Sequence, residues 1–275
     1  SHKANAIMAE YTADSDKLHM AYSFEMLSDE FSAAHFRNCV KAFYDAARAR
    51  NGWPCWSFSN HDVIRHVSRW VKHSEDLDAL ARQAAALLLS LEGTICLYQG
   101  EELGQTETQL AFEELVDPPG ITFWPEYKGR DGCRTPMVWQ AQAEHGGFSD
   151  AKPWLPVKPE QASRAVDRQE GDPSSVLAYY REILAYRKGS DALMTGVTTF
   201  ANLPEPVLGF ARGEGDDGLL CLFNLSNAPQ TLTLGEKASP EPVSRNYEMA
   251  GEILKLSANG FVLIKGLSAD SVKAE

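Results

Sequence analysis

Phe58-Ser59-Asn60-His61-Asp62 crowds an amide, an imidazole and a carboxyl at the end of an apolar run. Such a trio suits the gripping of hydroxyl groups, base catalysis with an orienting partner, or metal binding. The plainer alternative is that Asn60 or Asp62 only caps the following helix or hydrogen-bonds within the core. A metal-dependent phosphohydrolase built on His61-Asp62 would draw further ligands from His66 and His73, five and twelve residues on from His61. No other His/Asp cluster stands ready to complete that site, and the residues leading into it read as a strand rather than a helical bundle.

The elements that must position these side chains alternate. Leu18–Phe24 is a candidate strand, and residues 31–49 place Phe36, Val40, Phe43 and Ala47 at helical spacings until Asn51-Gly52 stops the helix. Trp53–Ser59 is the next strand and runs straight into Asn60. Leu77–Leu91 is a second helix, and Thr94–Tyr98 a third strand ending at Gln99-Gly100-Glu101-Glu102. Strand, helix, strand, helix, strand is the pattern of a parallel sheet with crossover helices. In such folds, side chains at the C-terminal ends of strands project into the crevice where ligands bind.

Residues 104 to about 172 break the rhythm with repeated prolines and three of the six tryptophans, Trp124, Trp139 and Trp154. Loops this long inside a compact domain are usually functional. A helix resumes over Ser174–Lys188. Short β runs then follow at Val197–Phe200, Val207–Arg212, Leu219–Leu225, Thr231–Leu234 and Gly260–Ile264, separated by turn signals such as Glu214-Gly215-Asp216-Asp217-Gly218. They predict a small antiparallel β-sandwich domain.

Composition narrows the partners. The 275 residues carry 26 basic and 38 acidic side chains, a net charge of 26 − 38 = −12 that repels phosphate backbones, so nucleic acid is not expected. The apolar stretch Ala84–Leu91 is far too short for a membrane helix, and no membrane partner is expected. Five widely spaced cysteines without a CxxC pair argue against a disulfide framework or a thiolate zinc site. Cys39, Cys55, Cys96 and Cys221 sit among apolar neighbours and read as small core residues, which points to a reducing compartment, the cytoplasm by default. The polar opening Ser1-His2-Lys3-Ala4-Asn5 has no secretory pattern and reads as an internal start.

Three ordered motifs carry a resemblance. Asn60-His61-Asp62 behind a Phe-containing strand resembles the fourth signature region of the α-amylase superfamily of retaining glycosidases. Residues 93–104, Gly-Thr-Ile-Cys-Leu-Tyr-Gln-Gly-Glu-Glu-Leu-Gly, are similar to the last barrel strand of its α-glucosidase branch, in glycoside hydrolase family 13. Residues 129–139, Gly-Arg-Asp-Gly-Cys-Arg-Thr-Pro-Met-Val-Trp, resemble the arginine-bearing loop that follows that strand. The resemblance implies an α/β fold: the C-terminal part of a (β/α)8 TIM barrel, strands six to eight, over residues 1–189, then a β-sandwich over 190–275. The long 104–172 segment would be the loop after strand eight.

By the same resemblance, Asp62 would be the carboxylate that stabilises the transition state through the sugar 2- and 3-hydroxyls. His61, Arg130, Asn60 and Phe24 would bind substrate, although Arg130 has an alternative as a salt bridge to Glu126 or Asp131. Glu101 and Glu102 suit a rim scaffold better than an acid role, and the three loop tryptophans suit either a pocket wall or packing. The implied enzyme acts by double displacement on short α-glucosides such as maltose, sucrose or aryl glucosides, with water or a sugar or alcohol acceptor, and with no cofactor and no catalytic metal.

Retaining hydrolysis needs two carboxyls about 5 Å apart. The nucleophilic Asp and acid/base Glu of the family have no match here, so both are expected in a missing upstream segment, and residues 1–275 alone are expected to be inactive. Three barrel strands leave open edges and an open interior face, which makes that N-terminal barrel half an expected partner. A non-catalytic sugar-binding or scaffold relative is the alternative that the absent carboxylates motivate.

Overall fold

Helix formation follows the apolar spacing. In the computed structural model, which describes residues 2–14 and 16–274, Phe36, Cys39, Val40, Phe43, Tyr44 and Ala47 form the buried face of a helix over Ala33–Arg48. Ser32 caps it, its hydroxyl accepting the His35 N–H at 3.2 Å. Ser1, the first residue of the polar opening, lies outside the described residues.

In chain order the elements are α1 (His2–Tyr11), α2 (Ala33–Arg48), β1 (Cys55–Trp56), α3 (His66–Arg69), α4 (Leu77–Ser90) and β2 (Thr94–Ile95). Short helices α5 (Pro118–Thr122), α6 (Pro159–Ala162) and α7 (Val166–Gln169) punctuate the proline-rich segment, and α8 (Val176–Lys188) and α9 (Asp191–Thr195) follow it. The remaining strands are β3 (Thr198–Phe200), β4 (Val207–Arg212), β5 (Leu219–Asn224), β6 (Gln230–Leu234), β7 (Arg245–Ala250), β8 (Ile253–Lys265) and β9 (Val272–Ala274). The chain forms two compact units. One comprises the chain up to Ser57, Lys72–Cys96 and the chain from Glu182 onward; the other comprises Phe58–Val71 and Leu97–Arg181.

In the first unit β1 and β2 pair in parallel, Cys55 opposite Thr94 and Trp56 opposite Ile95. The expected strand at Leu18–Phe24 contributes a single parallel bridge, Tyr22 to Cys55, before the chain turns into a 3-10 segment at Glu25–Leu27. Trp56 is fully buried, its indole N–H donating to the Glu92 carbonyl at 2.6 Å and its ring edge-on to Phe43. Asp76 caps α4 by accepting from the Asp78 and Ala79 amides.

The β runs form one seven-stranded antiparallel sheet in the order β3-β4-β5-β8-β6-β9, with β7 also on β8. The long β8 is the spine: residues 261–265 pair with β5, and residues 253–256 pair with both β6 and β7. One face packs Leu220, Leu222, Leu232, Leu254, Val262 and Ile264 into a core of their own. The other carries a stack of Phe210, Phe223 and Phe261, with ring centroids 5.8 and 6.0 Å apart. Burial on both faces explains why β4 and β5 read as continuous apolar runs rather than alternating ones.

All five cysteines are free. Cys39, Cys55 and Cys221 are buried, as expected, but Cys96 is exposed and Cys133 is buried instead. Apolar neighbours along a strand fix its burial on average but not the face on which one side chain falls. No helix among the described residues is long and apolar enough to cross a membrane.

Candidate active site

Everything in this site belongs to the second unit and starts where the chain leaves β1. Phe58 is buried edge-on against Trp70 at 5.0 Å, and its carbonyl accepts from the Arg69 guanidinium at 2.5 Å, so α3 anchors the strand end. The Ser59 hydroxyl accepts the His66 amide at 3.0 Å and lies 3.2 Å from His66 Nδ1. Asn60 is buried and turns the chain: its Oδ1 accepts the Asp62 N–H at 2.8 Å. That two-residue turn throws His61 and Asp62 outward, their side chains 65% and 46% exposed.

Two guanidinium groups converge on one oxygen of Asp62. Arg130 Nη1 donates to Oδ1 at 3.2 Å and Arg134 Nη2 donates to the same oxygen at 2.9 Å. Arg134 Nε also donates to the His61 carbonyl at 2.6 Å, which fixes the loop holding both candidates. The other oxygen, Oδ2, has His61 Nε2 at 3.6 Å. A carboxylate held at one oxygen by cations keeps its second oxygen available as a strong acceptor for hydroxyl donors.

Arg130 is itself held from behind. Asp117 accepts from its Nε at 3.0 Å, from its Nη2 at 2.7 Å and from its backbone N–H at 2.8 Å. The guanidinium holds the Asp117 carboxyl below the usual range, and Asp117 and Asp62 together push Arg130 upward. Asp131, one of the expected alternative partners, instead accepts the Val116 and Asp117 amides at 2.7 and 2.8 Å. Arg65 ties the rest together, donating to the Gln99 carbonyl at 2.7 Å and the Cys133 carbonyl at 3.0 Å, while Glu107 accepts the Arg65 N–H at 3.0 Å. Beside Asp62 and Arg130 lies a cleft of about 320 Å³, lined also by Ile64, Leu110, Tyr127 and Lys128.

Glu101 and His66 sit beneath this surface, both almost wholly buried and 3.8 Å apart. Burial pushes Glu101 up to about 8 and His66 down to about 3, so the pair rests as a neutral acid beside a neutral imidazole. Glu102 holds the turn, accepting the Gly100 N–H at 2.8 Å. Among the described residues no group of three or more His, Cys, Asp or Glu is placed to hold a metal ion.

The structure therefore brings Asn60, His61, Asp62 and Arg130 together. Phe24 belongs to the first unit, 69% exposed, its ring 5.3 Å from that of Tyr22. Sequence reasoning missed Arg134, Asp117, Arg65 and Glu107. Arg134 stood inside the motif at residues 129–139, and a second arginine four residues after the first was the available signal; the other three had none.

The model of the α-amylase catalytic domain matches residues 1–196. The chain belongs to the α-amylase family, glycoside hydrolase family 13. It is 49% identical over 238 residues to a probable α-glucosidase of Rhizobium meliloti (strain 1021), covering 86% of this chain and 43% of that protein. It is 32% identical over 220 residues to an oligo-1,6-glucosidase of Parageobacillus thermoglucosidasius, covering 72% of this chain and 39% of the relative. Among solved structures, the α-glucosyl transfer enzyme XgtA superposes with a TM-score of 0.87 at 45% identity, covering 96% of this chain and 49% of that one. The chain thus spans about half the length of these relatives, and its α-amylase-family fold combines mixed α/β content with an antiparallel sheet.

Proposed function

We propose that this chain is the C-terminal half of a retaining α-glucosidase or α-glucosyltransferase acting on short α-glucosides. Residues 1–189 supply strands six to eight of the (β/α)8 barrel with the 104–172 loop, and residues 190–275 form the C-terminal β domain. An upstream barrel half supplies the nucleophile and acid/base, and this segment alone is inactive. The cytoplasm is the compartment.

The observation that carries the reading is Asp62, an exposed carboxylate with Oδ1 shared by two arginines and Oδ2 beside His61 Nε2. An oxocarbenium-like transition state gains from an anionic acceptor that bonds the ring hydroxyls more strongly as positive charge develops. Asp62 is that acceptor, His61 and Arg130 contact the same sugar edge, Asn60 shapes the turn, and Phe24, at the end of the segment that corresponds to barrel strand six, contacts substrate. Exposure supports the missing half: strands of an all-parallel sheet are ordinarily covered on both faces, yet Thr94 and Ile95 are only half-buried and Cys96 is exposed.

Hydrolysis and transfer differ in whether water or a sugar or alcohol acceptor takes the glucosyl group. The likeness to an α-glucosyl transfer enzyme favours a transfer arm. The test is proton NMR of maltose, sucrose and an aryl α-glucoside turned over by the full-length enzyme, with and without an alcohol acceptor. The reading expects α-glucose or α-glucoside as the first product. No turnover, or β-anomer first, overturns it.

A further inference from the structure

We infer that Asp117 is the positioning residue that aims Arg130 at Asp62, an inference that rests on the α-glucosidase reading for its catalytic meaning. An aspartate just before Pro118-Pro119 reads as an ordinary helix cap, because it occupies the N-cap position of α5. The structure shows otherwise: its side chain makes no capping hydrogen bond to that helix. Both carboxylate oxygens turn to Arg130 instead, Oδ1 accepting from Nη2 and Oδ2 from Nε. This two-point contact fixes the guanidinium plane, which leaves Nη1 as the nitrogen directed at Asp62.

The surroundings are built for that contact. The Asp117 side chain is 1% exposed while that of Arg130 is 34% exposed, so the pair presents a cation outward from a buried anion. Asp131 pins the backbone of Asp117 by accepting its N–H. Gly129, with φ at +76°, lies where a Cβ would stand 2.8 Å from Asp117 Oδ2 and 2.9 Å from the Cα of Gly120. A side chain at residue 129 would enter the space through which Asp117 reaches Arg130, and only glycine takes that φ without strain.

The chemical consequence is a line of alternating charge, Asp117, Arg130, Asp62, with Arg134 closing it. Asp117 is bonded to Arg130 and its side chain is almost wholly buried. It acts through the direction of Arg130, and so through which oxygen of Asp62 is tied. Loss of the aspartate frees Arg130 to swing into solvent or fold over Oδ2, the oxygen the substrate needs.

The test is Asp117→Asn in the full-length enzyme. This variant keeps the shape and an acceptor for the Arg130 N–H but loses the charged two-point grip. With an aryl α-glucoside, kcat/KM should fall at least tenfold. The discriminating measurement is the double variant: in an Arg130→Ala background, Asp117→Asn should cost no further activity. Independent tenfold losses that multiply overturn the inference, as does a loss of activity that only follows loss of fold. If Asp117→Asn does not fold, Asp117→Ser, which keeps a small polar side chain too short to grip the guanidinium at two points, takes its place. A crystal structure of the variant separates this claim from the functional reading. Arg130 Nη1 should lie beyond hydrogen-bond reach of Asp62 Oδ1, even if the wild type proves inactive on α-glucosides; an unmoved guanidinium overturns the positioning role.

Discussion

Replacing Glu101 by glutamine should stabilise the protein at neutral pH and reshape its stability profile. The folded state holds the Glu101 proton up to about pH 8 against an ordinary value of 4.5. Between those values the fold binds more protons than the unfolded chain, so stability falls as pH rises. Keeping the proton at pH 7 across 2.5 pH units costs about 3 kcal/mol at about 1.36 kcal/mol per unit. His66 has the opposite slope: its folded value, about 3, lies below the ordinary 6.5, so its stabilising contribution is complete above 6.5 and is lost as pH falls. Between 4.5 and 6.5 the two slopes cancel, and the wild-type pair contributes a plateau. Glutamine removes only the Glu101 limb. The difference between Glu101→Gln and wild type should therefore grow from near zero at pH 5 to about 2–3 kcal/mol at pH 7, allowing for an imperfectly paired amide. Urea unfolding of both proteins at pH 5, 6, 7 and 8 measures it. A difference that stays constant with pH refutes the argument, because it would mean that Glu101 is ionised in the fold.

Two further outcomes follow from the loop geometry. Arg134→Ala removes a guanidinium bond to Asp62 and another to the His61 carbonyl. Charge-assisted bonds are worth about 1.5–3 kcal/mol each, so kcat/KM for an α-glucoside should fall about 10- to 100-fold, and Arg134→Lys should recover only part of it. Gly132→Ala places a Cβ 2.2 Å from Glu107 Oε1 and 2.7 Å from the Thr108 carbonyl. Overpacking of this kind should cost about 1–3 kcal/mol in denaturant unfolding, and release of Arg65 from Glu107 should lower activity with it.

The sequence disclosed the elements whose pattern is local. The helices over residues 33–48, 77–90 and 176–188 lie within two residues of expectation, because an apolar stripe and a cap are written in consecutive residues. Helix α1 went unread, its polar residues giving no sustained stripe. Strands β7 and β9 were also missed: Arg-Asn-Tyr-Glu-Met-Ala holds no apolar run, and Val-Lys-Ala is too short to register. The last strand reads as starting at Gly260, yet β8 begins at Ile253 and runs through that point, Asn259 taking a positive φ within the strand.

At the site, Asn60, His61, Asp62 and Arg130 were visible because they fall in short motifs. Arg134 meets the His61 carbonyl across 73 positions and Arg65 meets the Cys133 carbonyl across 68. Such pairings are set by how loops fold back, which no local spacing encodes. Asp117 shows the same limit more sharply, since its local context argues for a helix cap and only the structure reveals that both oxygens are committed elsewhere.

The central claim is that Asp62 stabilises the transition state of glucosyl transfer. Its most direct test is kcat/KM of the full-length enzyme on an aryl α-glucoside, compared with Asp62→Asn at matched fold and melting temperature. The account predicts a loss of at least about 100-fold, the scale of removing one preorganised electrostatic contact to a developing charge. A variant within threefold of wild type would contradict it.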